Sequence, residues 1–136
     1  MYAFSVEERM PFEQALAAVT EALAAEQLGV VSDVDVQAMM RAKLGEEVPP
    51  YHILGACVPP LAKRVLEADP EAGALLPCNV IVRQVSPGLT AVTFMDPIAV
   101  LSLARSEAID AVGRDARVRL ERVRDRLSGT KPINLL

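Results

Sequence analysis

Apolar and polar positions along the 136-residue chain fall into short periodic runs that can be read element by element. The opening "MYAFSVE" reads as a short strand. Beyond it Phe12, Ala15, Leu16, Val19 and Leu23 recur at three- and four-residue spacing, which predicts a helix with one apolar face. Pro11 with Glu13 marks its start, and Gly29 sits where a helix-ending residue belongs. "VVSDV" predicts a second strand, after which Asp35 caps a helix with Val36, Met40 and Leu44 apolar, stopped by Gly45. Met39 and Met40 read as core filling rather than as soft metal ligands.

"YHILGACV" predicts a third strand, and Pro59-Pro60 opens a short helix, "PLAKRVLEA", ended by Asp69-Pro70. An apolar connector, "EAGALLP", leads to the strands "CNVIVRQV" and "LTAVTFM", joined by a hairpin turn at Ser86-Pro87-Gly88. From Pro97 to about Leu127 one long helix is expected, with Leu101, Ala104, Ala108, Val112, Ala116, Leu120, Val123 and Leu127 along a stripe. At roughly 45 Å it would outreach a small sheet, so part of that stripe is expected to meet another subunit.

The order β-α-β-α-β-α-β-β-α predicts an α+β two-layer sandwich, with helices on one face of a small, mostly antiparallel or mixed sheet. Residues 1–128 form a single domain on this reading, and 129–136 an irregular tail. A hydrophobic share of 51% and a charged share of 24% are globular values, and the length suffices for a core.

Net charge of -4 with 4% aromatic residues lacks the basic, stacking footprint of a nucleic-acid binder. The arginine-rich last helix also carries acids, with Asp110/Arg114 and Asp115/Arg119 at ion-pairing distance in sequence, so a solvated, paired face is expected. No apolar run approaches the roughly 18 residues of a membrane span, and the N-terminus lacks a signal-peptide pattern. Two cysteines without an export signal point to a reducing, cytoplasmic setting.

Candidate chemistry concentrates between residues 52 and 80, which hold the only histidine, His52, and both cysteines, Cys57 and Cys78. Cys57 stands between a strand and a helix start, where partial positive charge would favour a thiolate. Pro59 and Pro60 oppose this by removing two N–H groups from that turn. Free cysteine is also a frequent core residue. Strand alternation puts Tyr51, Ile53, Gly55 and Cys57 on one side and His52, Leu54 and Ala56 on the other, against a Cys57–His52 dyad. Whether Cys78 meets Cys57 depends on the route of the connector; a parallel crossover would separate them. The sequence has no phosphate-binding glycine loop, no G-x-S-x-G elbow and no H-E-x-x-H motif, and no spacing that asks for a metal, so no cofactor is expected.

The stretch "PYHILGACVPPLAKRVLEADPEAGALLPCNVIV", with "GVVSDVDVQAMMRAKLG" before it and "MDP" at 95–97 after it, resembles the domain of unknown function 302 family over nearly the whole chain. The resemblance implies a compact α+β domain that commonly forms a homodimer, in a family without an established activity. Cysteine-bearing members typically read Cys-Asn-Pro where this chain has Cys57-Val58-Pro59, which loses a capping or ligand-bonding side chain.

Three readings stay open. The first is a cytoplasmic, dimeric, non-enzymatic domain that binds a small ligand, a partner or a soft metal through Cys57, Cys78, Tyr51, Gly55 and Asn79, with redox sensing as one use. Any metal would be held by Cys57 and Cys78. The second is a thiol-dependent enzyme for thiol or sulfur transfer with Cys57 as nucleophile, and the third a structural dimer whose cysteines only pack.

Overall fold

The computed structural model describes residues 1–128, so the expected tail at 129–136 lies outside the described residues. Five strands, β1 (Ala3–Glu8), β2 (Gly29–Asp35), β3 (Tyr51–Cys57), β4 (Cys78–Ser86) and β5 (Leu89–Met95), form one sheet in the order β1-β5-β4-β3-β2. Every neighbouring pair is antiparallel. The helices are α1 (Phe12–Ala25), α2 (Val36–Leu44), α3 (Pro59–Ala68), α4 (Pro97–Leu101) and α5 (Glu107–Ser128). The apolar connector is a 3-10 helix, Pro70–Leu75.

Alternation decides which face of the sheet is covered. Val6, Leu54, Ala56, Cys78, Val80, Val82, Val92 and Phe94 all point to one side and are buried. Against them lie Phe12, Ala15, Val19 and Leu23 of α1, Leu61 and Val65 of α3, and Ile109, Val112, Ala116, Leu120, Val123 and Leu127 of α5. A two-layer α+β sandwich results.

Three expectations need correction. The single helix from Pro97 is two: after Leu101 a 3-10 turn, Ser102–Ala104, leads to Arg105 at φ 54, and a new helix starts. Ser106 Oγ accepts from the Ile109 N–H at 3.3 Å and Glu107 stands in the first turn, an ordinary helix-start arrangement inside an apparently continuous stripe. The break shifts the phase, so Ile109 is buried and Ala108 exposed. Next, the α5 stripe from Ile109 to Leu127 packs inside the domain, and at 22 residues, about 33 Å, the helix is shorter than the roughly 45 Å expected. Lastly, α1 ends before Gly29: Gln27 takes the left-handed conformation at φ 66, and Gly29 already begins β2.

The arginines of α5 do more than face water. Glu26, at the end of α1 and 8% exposed, accepts from Arg122 Nε at 2.7 Å and from Arg126 Nη2 at 2.8 Å. Arg119 Nη1 reaches the Glu26 backbone carbonyl at 3.0 Å, so three turns of α5 are tied to one helix end. Arg117 pairs with Asp96 at 2.9 Å while its guanidinium lies 4.1 Å from the centre of the Phe4 ring. The Asp115–Arg119 pair forms as expected, at 2.7 Å. Gly113 lets α5 close on α4: a Cβ there would fall 3.0 Å from the Pro97 carbonyl oxygen.

Candidate functional site: the open face of the sheet

The face opposite the helices carries three cross-strand rows. The middle row runs Ser5, Thr93, Ile81, Ile53, Val34 from β1 to β2. One end row holds Glu7, Ala91, Arg83 and Tyr51, and the other places Ala3 beside Met95 and Asn79 beside Gly55 and Ser32. Ile53, Ile81, Thr93 and Met95 are half-buried and Val34 is exposed, a mostly apolar centre. Met40 of α2 contributes to a concavity at the Tyr51 end, and Val100 of α4 to another at the Met95 end.

Four of the five residues singled out from the sequence share this face. Tyr51, Gly55 and Cys57 alternate along β3, and Asn79 pairs with Gly55. Gly55 is required by packing: a Cβ there would lie 2.6 Å from Pro77 Cγ and closer still to Ser32 Oγ. Cys78 departs from the group. It lies opposite Ala56, one position out of register with Cys57, so its thiol enters the helix-covered core. The cysteines are therefore out of register and do not form a pair; both are free, and both line one small cavity at the end of β3.

The surroundings of Cys57 do not activate it. Burial pushes its thiol up, and burial, with Cys57 adding to it, pushes the Cys78 thiol up to about 11. At the start of α3, positions 59 and 60 are prolines, and the Leu61 and Ala62 N–H groups already donate to the Val58 carbonyl at 2.9 and 3.0 Å. Neither of these two amides is left for a thiolate. Val58 caps nothing, as its apolar side chain requires. Residues 56–58 and 76–78 wall an apolar cavity of about 30 Å³ under this turn, room for little more than one water. Among the described residues no group of three or more His, Cys, Asp or Glu side chains is placed to hold a metal ion.

His52 lies on the covered face, as alternation predicts, with its ring 5.4 Å from that of Phe12. Its Nδ1 is 2.7 Å from Asp33 Oδ1, and its Nε2 is 3.6 Å from Asp35 Oδ2. The two carboxylates meet opposite sides of the ring, so the trio fastens edge strand β2 to β3 rather than converging on a common point. Sequence reasoning passed over Asp33 and Asp35 in this role. The D-x-D spacing puts both on one face, but only the β2–β3 register reveals that the face is that of His52. Arg83 was likewise passed over; it stands beside Tyr51 with no carboxylate at ion-pairing distance among the described residues.

The family model of the domain of unknown function DUF302 matches residues 2–127. The chain belongs to the DUF302 family. The crystal structure of an uncharacterized conserved DUF302 protein from Bacillus stearothermophilus has the same fold, at a TM-score of 0.83 and 26% identity. It matches over 93% of this chain and 98% of that one. No curated protein matches. The family carries no established function, so membership supports the fold and leaves the chemistry to the site. No helix among the described residues is long and apolar enough to cross a membrane.

Proposed function

We propose that this DUF302 domain is a non-enzymatic association module that pairs with a second copy of itself through the open face of its sheet. The observation that carries this reading is the apolar row of half-buried Ile81 and Ile53 and exposed Val34, flanked by Ala91 and Met95 in the end rows, on a face whose centre no described element covers. Five strands span about 24 Å and seven residues about 23 Å, on the order of 550 Å² before side-chain relief is counted. Met40 and Val100 enlarge the face at its two ends, towards the roughly 600–800 Å² per partner of a stable pair. A cytoplasmic setting agrees with two thiols that form no bridge.

Thiol catalysis is the weaker reading, since Cys57 is pushed away from thiolate formation and lacks a neighbouring base on its own face. Sedimentation equilibrium tests the proposal. Wild type should show twice 14.6 kDa and Ile81→Lys 14.6 kDa, while Val118→Lys, on the exposed side of α5, stays paired. A wild type that is monomeric at about 100 μM, or a pair broken by Val118→Lys instead, would overturn it.

A further inference from the structure

We propose that a pocket between α2 and the Tyr51 end of the sheet binds a small carboxylate with an apolar tail. The pocket has a volume of about 270 Å³ and is walled by Val36, Met40, Val48 and Pro50, with Tyr51, Arg83 and Gln84 as its polar members. This is just below the range of pockets for drug-sized ligands, which fits a tail of a few carbons.

The pocket is held open by its own chain. Residues 45–50 run as a strap from α2 to β3, and three contacts pin it. Arg41 donates from Nε and Nη2 to the two carboxylate oxygens of Glu47, both at 2.9 Å. Gln37 Nε2 donates to the Val48 carbonyl at 3.0 Å, and the Gln84 N–H to the Pro50 carbonyl at 3.0 Å. Pro49 and Pro50 stiffen the strap further. A pre-organised wall loses little freedom when a ligand enters.

Arg83 sets the chemistry. It is exposed, and it projects from the middle of β4 directly across from Tyr51 with no ion-pair partner among the described residues. Arg41, Arg117, Arg119, Arg122 and Arg126 all meet carboxylates. A planar guanidinium at the edge of an apolar pocket matches a carboxylate through two parallel hydrogen bonds. The Tyr51 hydroxyl adds a donor, and the aliphatic walls take the tail. Every wall comes from one chain, but Tyr51 and Arg83 also stand in an end row of the face proposed to pair, so the titration is made on the monomeric Ile81→Lys chain as well as on wild type.

The test is a titration of the full-length protein with hexanoate, hexylamine and hexanol, followed by NMR at the Met40 methyl group. Hexanoate should shift that signal saturably with millimolar affinity, and both analogues should bind at least about tenfold more weakly. Arg83→Gln, at an exposed position, should keep the amide spectrum of the fold and weaken hexanoate by about tenfold or more. Hexylamine or hexanol binding as well as hexanoate, unchanged affinity in Arg83→Gln, or no shift up to about 10 mM would each overturn the proposal.

Discussion

Gly55→Ala probes the close packing of Gly55 against Pro77 and Ser32 on the open face. No positive φ is needed at Gly55, so alanine meets no backbone penalty and the effect is all collision. The new methyl would stand 2.6 Å from Pro77 Cγ and still nearer Ser32 Oγ, both inside the distance real Cβ atoms accept. Overpacking of this kind destabilises by about 1–3 kcal/mol; the Pro77 ring is the neighbour that cannot rotate away, while the Ser32 hydroxyl must take another rotamer. Ser32→Ala removes one collision: the remaining Ser32 Cβ would be 3.5 Å away, an ordinary contact, while Pro77 stays at 2.6 Å. The double variant should therefore recover about 1 kcal/mol relative to the sum of the singles. Urea unfolding of the four chains at one fixed protein concentration reads this directly, because the stability of a pairing chain depends on concentration. A Gly55→Ala protein within about 0.5 kcal/mol of wild type, or the same loss with and without Ser32, would refute the packing account of this glycine.

Two further expectations concern titration. The hydrogen bonds from Arg122 and then Arg126 hold the Glu26 carboxyl below its ordinary value despite burial. A lowered folded-state pKa gives stability that is present above the unfolded value of about 4.3 and lost as pH falls through the folded one. Glu26→Gln should therefore be less stable than wild type at pH 7, with the gap closing as pH drops below about 4.3; a gap independent of pH would contradict this. For the thiols, alkylation of Cys57 at neutral pH should be slower than that of a model thiol and rise with pH, and Cys78 should label only on unfolding. Rapid labelling of native Cys57 well below pH 8.5 would move the enzyme reading to first place.

The elements were legible because their signals are local. The hairpin at Pro87-Gly88, the Asp35 cap and the Pro59-Pro60 helix start each rest on residues next to one another, and each stands where the sequence puts it. The break before α5 was hidden because Ala104, Arg105 and Ser106 interrupt no apolar period; only the αL turn at Arg105 exposes it. Relations between strands lay further out of reach. Alternation separated Cys57 from His52 correctly, but placing Cys78 required the antiparallel β3–β4 register, which composition cannot supply. The same register gathers Tyr51, Gly55, Cys57 and Asn79 on one face, and it brings Arg83 beside Tyr51, where no local pattern marks it.

Cross-linking of single cysteines across the middle row tests the pairing surface most directly. With Cys57 replaced by serine and Cys78 left in the core, cysteine is placed in turn at Ser5, Thr93, Ile81, Ile53 and Val34, with Val118 as the control on α5. In a two-fold pair the residues nearest the axis face their own copies, and sheets packed face to face lie about 10 Å apart, within reach of a short bismaleimide. Pairing through the open face predicts a covalent dimer from one or two adjoining positions of that row and none from Val118→Cys. No dimer from any position in the row, or an equal yield from Val118→Cys, would contradict it.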